Sequence, residues 1–358
     1  MRFRYSKNKE QAASPLKFLI IRLSSIGDIV LTTPVIRCLR KKYPGAQIDF
    51  LVKPQFRQVV EGNPYISNVI GYDTAGGELI RKLRKEHYNY VIDLHHNVRT
   101  LKLKRSLQVR AFSFPKLNLE KWLLVNLKWR SIMPDKSIVE RYFETVRTLG
   151  VVNDGEGLDY FIPSEQETVQ EDIPMSHWTG YVACVLGGSK ATKQLPTDKW
   201  IAFAAHCQLP LVMLGGPEDR EEGERIAQAV PAQRVYNACG KFRLNESADL
   251  VKKARVVVSN DTGLMHVAAA FQRPVVSLWG NTVPELGMFP YYGANNLKTV
   301  VASRSAIIEV KGLSCRPCSK IGYAGCPKKH FKCMNDMDMQ AVADAVYRYW
   351  GATDRGVK

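Results

Sequence analysis

The chain reads as an α/β protein built from two doubly wound domains in tandem. Three observations predict this. Its 358 residues are about twice the size of one domain, so each half can bury a core of its own. Short β-branched runs alternate with amphipathic stretches along both halves, the rhythm of parallel sheets with helices on each face. Hydrophobic residues at 45% and charged residues at 24% exclude a chiefly disordered, collagen-like or coiled-coil chain.

In chain order, a first domain over 1–165 has strand candidates at Lys17–Arg22, Gln47–Val52, Asn68–Tyr72, Tyr90–Leu94 and Val109–Phe114. Helices are expected between them over Asp28–Lys42 and Glu78–Glu86. The acidic, proline-marked stretch from Ile162-Pro163-Ser164 to Ile173-Pro174 reads as a linker, with a boundary near 165–178 and a short helix over Glu165–Asp172. A second domain over 178–336 offers Tyr181–Leu186, Pro210–Leu214, Arg234–Tyr236, Arg255–Ser259, Pro274–Trp279 and Leu297–Ala302. The segment 337–358 opens with a helical period over Met337–Trp350 and can pack on either domain. Apolar runs such as Phe18–Ile21 fall far short of the roughly 20 residues that cross a bilayer. The basic start MRFRYSKNKEQAASP lacks the apolar stretch of a secretory signal, so a cytoplasmic location is expected.

The net charge of +17 is concentrated. Residues 1–150 hold 28 Lys/Arg against 12 Asp/Glu, whereas 151–358 hold 23 against 22. The basic half therefore suits an anionic partner, whether nucleic acid, a membrane surface or a phosphorylated substrate. Cys315, Cys318, Cys326 and Cys333 form a C-x2-C-x7-C-x6-C run, a spacing compatible with structural zinc. Four reduced thiols in a Gly/Pro-rich loop are the preferred reading, because disulfides are disfavoured in the cytoplasm and the second pair is loosely spaced.

Three strand-to-helix turns carry the chemistry. The first, Leu19 to Asp28, runs through Ser24-Ser25-Ile26-Gly27 and sets Asp28 at a helix start, either as an N-cap or as a general base facing a cleft. No G-x-G-x-x-G follows this strand. The second, Val256 to His266, places Asp261, Thr262 and Gly263 where free backbone N–H groups at a helix N-terminus can cradle a diphosphate, with His266 a further donor or a packed side chain. The third, Leu186-Gly187-Gly188-Ser189-Lys190-Ala191-Thr192-Lys193, suits phosphate or ribose oxygens. Gly215-Gly216-Pro217-Glu218-Asp219 adds an acid for ribose hydroxyls. Such loops at strand ends make a nucleotide-diphosphate pocket.

With Thr32-Thr33-Pro34, Asp93-Leu94, Asn97-Val98-Arg99-Thr100, Thr192-Lys193 and Ser259–Gly263 with His266 added to the SSIGD turn, the sequence resembles glycosyltransferase family 9, the ADP-heptose:lipopolysaccharide heptosyltransferases, from Lys17 to about Met339. The resemblance implies a GT-B fold, two Rossmann-like domains facing a central cleft, and inverting transfer with no required metal. It implies Asp28 as base, in preference to a cap. It places the donor on Gly188, Ser189, Thr192, Lys193, Asp219 (or its neighbour Glu218), Asp261, Thr262, Gly263, Leu264 and His266. The acceptor side then falls on Ser25, Gly27, Asn97, Arg99, Lys102, Lys104 and Arg105, with Arg110 nearby. The expected partners are ADP-heptose, an anionic lipid-linked saccharide and the inner face of the cytoplasmic membrane, where Leu119–Met133 reads as an interfacial helix or one packed on its own sheet. Gly187-Gly188, Gln194-Leu195 and Gly280-Asn281-Thr282-Val283-Pro284 depart from the family pattern in loops that line the donor pocket. A GT-B transferase using another nucleotide sugar is therefore the alternative. A nucleic-acid-binding protein is a distant one, because no stacking platform or helix-turn-helix is evident.

Overall fold

The computed structural model describes residues 15–73, 77–231, 233–293 and 304–354. Two parallel sheets form the frame. The first contains β1 (Lys17–Ile21), β2 (Gln47–Val52), β3 (Asn68–Gly71), β4 (Tyr90–Asp93) and β5 (Arg110–Ser113) in the order β3-β2-β1-β4-β5. Its helices are α1 (Ile26–Val30), α2 (Thr33–Lys42), α3 (Gly77–Lys85), α4 (Val98–Leu107), α5 (Asn118–Leu127) and α6 (Ile138–Phe143). The second contains β6 (Val182–Val185), β7 (Leu211–Leu214), β8 (Val235–Asn237), β9 (Val256–Asn260), β10 (Val275–Trp279) and β11 (Ser305–Glu309) in the order β11-β10-β9-β6-β7-β8. With it come α7 (Thr197–His206), α8 (Arg220–Gln228), α9 (Leu244–Lys253), α10 (Gly263–Ala270), α11 (Lys332–Asn335) and α12 (Met339–Asp354). Strand order reverses between β1 and β4 and between β6 and β9, so each sheet opens a crevice at the carboxyl ends of those strands.

The central strands are unbroken apolar runs because helices cover both faces. Phe18 to Ile21 and Val256 to Asn260 are all buried. One apolar cluster runs through both lobes, from Phe18, Ile20 and Phe50 to Val212, Val257 and Met265. A second lies on the far face of the second sheet. There α12 packs Val342 and Val346 against Trp200 and Phe203 of α7, so the C-terminal helix belongs to the second lobe.

Several expected elements differ in extent. The helix expected over Asp28–Lys42 is two, because Pro34 starts a new helix and the hydroxyls of Thr32 and Thr33 donate back to Ile29 and Val30 carbonyls at 2.6 and 2.7 Å. The one expected over Leu119–Met133 ends at Leu127, where Lys128 takes a left-handed conformation before a 3₁₀ turn at Arg130–Ile132. Glu165–Asp172 holds two 3₁₀ turns, and Thr168 binds the linker to Asp249 of α9 at 2.7 Å. The strand expected at Leu297–Ala302 lies outside the described residues. Among the described residues no helix is long and apolar enough to cross a membrane.

Candidate functional site

The two crevices meet where α1 packs against α10, and two glycines allow it. A Cβ on Gly27 would lie 2.5 Å from His266 Cδ2, and one on Gly263 would lie 2.8 Å from the Ile26 side chain. Gly27, expected on the acceptor side, is therefore buried in the seam between lobes and offers no surface to an acceptor.

Beside this seam Asp28 occupies the third position of α1, its side chain one quarter exposed. Ser25 is the N-cap, and its N–H and hydroxyl lie 3.4 Å from the Asp28 carboxylate. The strongest partner is Arg22, at the end of β1 and 7% exposed, whose Nη2 sits 2.5 Å from Asp28 Oδ1. Arg22 is itself fixed. It donates to the Ser24 carbonyl at 3.0 Å, the Leu94 carbonyl at 2.5 Å and the Tyr142 hydroxyl of α6 at 3.0 Å. Burial pushes the Asp28 carboxyl up, but the Arg22 guanidinium and the Ser25 N–H outweigh it and hold the group below the ordinary carboxylate range. The residue is thus a carboxylate at any working pH, aimed by a guanidinium. His95, on the loop after β4, lies in the same field. Burial, helped by Arg22 and Lys116, lowers its pKa to about 4, and its Nδ1 has no protein partner.

Across the seam, Lys193 Nζ lies 2.6 Å from Asp261 Oδ2, which also accepts from the Thr282 hydroxyl at 2.9 Å. Asp261 is 9% exposed and bears the same charge as a phosphate, and its carboxylate is engaged by Lys193 and Thr282. The α10 N-terminus follows directly. Thr262 is its N-cap with no side-chain cap bond, and Thr262, Gly263 and Leu264 are partly exposed. The Gly188 loop borders Thr262, since a Cβ at Gly188 would lie 3.6 Å from Thr262 Cγ2, and Ser189 next to it is exposed. His266 is 2% exposed and burial brings it to about 4, so it is a neutral imidazole with an unpartnered Nδ1. The Asn260 side-chain oxygen and both polar atoms of the Asn281 side chain are likewise buried without a protein partner.

Other expected site residues are occupied elsewhere. Thr192 is buried and exchanges hydrogen bonds with the Tyr323 backbone, which fastens the cysteine-rich loop to the second lobe. Asp219 is buried and accepts from Gly216 N–H at 2.8 Å, closing its own turn, while Glu218 beside it is exposed. Asn97 caps α4 through Thr100 N–H at 3.0 Å. Lys104 lies 2.7 Å from Asp93, which is fully buried, and serves the sheet edge. Arg99, Lys102 and Arg105 are exposed and have no acidic partner among the described residues. Arg22, His95 and Tyr142 carry no motif signal beyond the strand end and the His95-His96 pair, so spacing does not find them.

All eight cysteines are free thiols. Cys315 Sγ lies 3.9 Å from His330 Nε2, and Cys318 donates to the Cys315 carbonyl at 3.1 Å. Burial raises Cys318 and Cys333 to about 11, so both are protonated at neutral pH. No group of three or more His, Cys, Asp or Glu suited to a metal ion occurs among the described residues.

Known proteins resemble this chain in sequence and in fold. The family model of glycosyltransferase family 9 (heptosyltransferase) matches residues 77–315. Lipooligosaccharide heptosyltransferase 2 of Haemophilus influenzae is 23% identical over 298 residues, covering 75% of this chain and 85% of that protein. The crystal structure of a family 9 glycosyl transferase from Veillonella parvula superposes with a TM-score of 0.72 at 20% identity, covering 94% of this chain and 97% of that one. The Escherichia coli heptosyltransferase WaaC, solved with ADP, gives 0.62 at 21% identity, with 93% and 100% covered. The fold is GT-B. By its family match the chain belongs to glycosyltransferase family 9, and it is a glycosyltransferase.

Proposed function

We propose that the chain transfers a heptose from ADP-heptose to an anionic, lipid-linked saccharide of the lipopolysaccharide inner core, with inversion at the anomeric carbon, at the cytoplasmic face of the inner membrane. One observation carries this reading: Asp28 of the first lobe is held by Arg22 beside the seam where α1 packs on α10, and His266 in that seam senses both Asp28 and the Lys193–Asp261 pair of the second lobe. The heptosyltransferase names of the relatives and the ADP in the E. coli structure support the donor. On this reading residues 178–336 bind the donor and 1–165 the acceptor.

The acceptor hydroxyl attacks the anomeric carbon from the face opposite the diphosphate. Its oxygen forms the new glycosidic bond, the bond to the diphosphate oxygen breaks, and Asp28 takes the hydroxyl proton. Because Arg22 depresses its basicity, Asp28 accepts that proton late, once the hydroxyl has been acidified by bond formation. Lys193 and the α10 N–H groups stabilise the charge growing on ADP, which leaves as the anion, while the Thr282 hydroxyl holds Asp261 in place. On this reading exposed Glu218, rather than its buried neighbour Asp219, meets the ribose hydroxyls. Arg99, Lys102 and Arg105 of α4, with Lys116, Lys121 and Lys320 at the cleft, supply cations for an acidic acceptor. The reaction as written needs no metal, and transfer should survive a chelator in protein whose metal content has been measured.

The test is a thermal-shift screen with ADP-, GDP- and UDP-sugars followed by transfer to an inner-core acceptor. A ligand at 100 times its Kd stabilises by about 2.7 kcal/mol. ADP-heptose is expected to shift the transition most, and Asp28→Asn to lower kcat by about 10²–10⁴ with donor binding retained. An Asp28→Asn enzyme of wild-type rate refutes the base. The unpartnered Asn281 amide in the departing Gly280–Pro284 loop favours one second reading, a different donor sugar on the same scaffold, which a larger shift with another nucleotide sugar would establish.

A further inference from the structure

The segment that follows β5 has two unlike faces. Its inner face is seated on the second lobe. Leu124 of α5 and Met133 are buried against Val283 and Leu286, Lys128 Nζ donates to the Pro317 carbonyl at 2.7 Å, and Arg130 pairs with Glu285 at 2.9 Å. Its outer face is mostly apolar and open to solvent, with exposed Asn126 the polar residue within it. Leu119 is 67% exposed, Trp122 55% and Leu127 61%, and with half-buried Leu123 they fall in one arc of about 140° at 100° per residue. Trp129, just past the helix, is 52% exposed. The cysteine-rich loop that Lys128 grips exposes Ile321 and Tyr323 as well.

We propose that this outer face of α5, with Trp129 and the Ile321–Tyr323 tip, is a docking surface for an anionic lipid bilayer. The charge of the same stretch of chain selects that occupant. Between Arg99 and Arg130 the chain has nine Lys/Arg and a single acidic residue, Glu120. Arg99, Lys102, Arg105 and Arg110 of this stretch are exposed and without an acidic partner among the described residues. Tryptophan and leucine on one side of a helix enter the boundary between headgroups and acyl chains, and the cations are drawn to anionic headgroups. A second copy of the chain is the poorer occupant, because it would set two strongly basic lobes face to face. The inner face also ties the surface to the chemistry. Lys116, just before α5, and Lys121, on the side of α5 away from that face, both sense Asp28, so α5 borders the cleft. The proposal rests on the reading of the acceptor as lipid-linked, and explains how such an acceptor is met at a surface.

The full chain is sedimented with vesicles of phosphatidylcholine alone and of phosphatidylcholine with phosphatidylglycerol, at low and high salt. Binding is expected only to the anionic vesicles and should weaken with salt. A variant combining Leu119→Ser, Trp122→Ser and Leu127→Ser should bind about tenfold or more weakly. It should keep its rate on a water-soluble acceptor, since none of the three side chains reaches the site. Brominated acyl chains should quench tryptophan fluorescence in the unmodified protein, a readout that needs no variant. Wild-type binding by the triple variant, absence of quenching, or loss of a dimer by the variant with no vesicle binding in either form each overturns the proposal. Vesicle binding without transfer to any saccharide would defeat the enzymatic reading and leave the docking surface. Transfer without vesicle binding would do the reverse.

Discussion

Gly27→Ala places a methyl group in the seam between the lobes. The added carbon meets His266 Cδ2 at 2.5 Å, about 0.9 Å inside the 3.4 Å of ordinary contact, and the Gly263 Cα at 3.3 Å. Neither neighbour yields readily, since His266 is 2% exposed and the other contact is backbone. Overpacking of this kind costs about 1–3 kcal/mol. Alanine is favoured over glycine by about 1 kcal/mol in a helix interior, but α1 has only five residues and Gly27 is its second, so the offset is smaller. The lobes are therefore expected to part by up to about 0.9 Å, and misplacement of reacting groups by about 1 Å costs on the order of 100-fold in rate. Steady-state transfer should show kcat reduced by about two orders of magnitude. Nucleotide affinity by calorimetry should change little, because the Lys193 and α10 contacts all lie on one lobe. The melting temperature should fall by a few degrees. Wild-type kcat with unaltered melting would show that the working enzyme does not close on this seam, and a parallel collapse of nucleotide affinity would show that the seam does more than align the lobes.

Arg22→Gln removes the charge that opposes burial at Asp28. Activity requires the carboxylate, so kcat/KM falls as pH drops through the folded pKa; with that pKa depressed in the native enzyme, the acid limb lies low, and in the variant it should move to higher pH, less so in Arg22→Lys. A limb that stays in place refutes the pairing as a control on the base. Lys193→Met leaves Asp261, 9% exposed, with its hydroxyl donor but no cation. Nucleotide-diphosphate affinity should fall more than tenfold in a calorimetric titration, and retained affinity would remove Lys193 from the donor site. Arg37 is 2% exposed and pairs with Asp154, at 2.7 Å, and with Asp159. Arg37→Met should cost about 3 kcal/mol in a denaturant titration at neutral pH. The Arg37 hydrogen bond holds Asp154 well below the usual carboxylate range, so its stabilisation is complete above the ordinary aspartate pKa and is lost as pH falls through the folded value. Stability equal to wild type at pH 7 would contradict this.

The two sheets are legible in the sequence because a strand covered on both faces carries an uninterrupted apolar run, as Phe18–Ile21 and Val256–Val258 do. The edge strand Ser305–Glu309 is not among the strands read from the sequence, since three of its five residues are only half buried. Pro34 carried a helix-start signal that outweighs the amphipathic period running through it. Within the candidate site, Asp28 and the Asp261–His266 turn stand out because each ends a buried strand in a polar turn. The residues that set their behaviour do not. Arg22 reaches Leu94 and Tyr142 across 72 and 120 positions of chain, separations that no local period records. Asn97 and Lys104 show the converse, polar residues on the loop and helix after β4 whose side chains are consumed by a cap and a buried carboxylate.

The apolar cluster that passes from Phe50 in one sheet to Val257 in the other joins the two lobes through a shared core. Heating should thus give one endotherm, with calorimetric and van't Hoff enthalpies in agreement, and not the two steps common to tandem domains. A nucleotide sugar seated on β6 and β9 would then protect β1 to β5 from hydrogen exchange as well. Two resolved endotherms would mean that the shared cluster does not couple the halves.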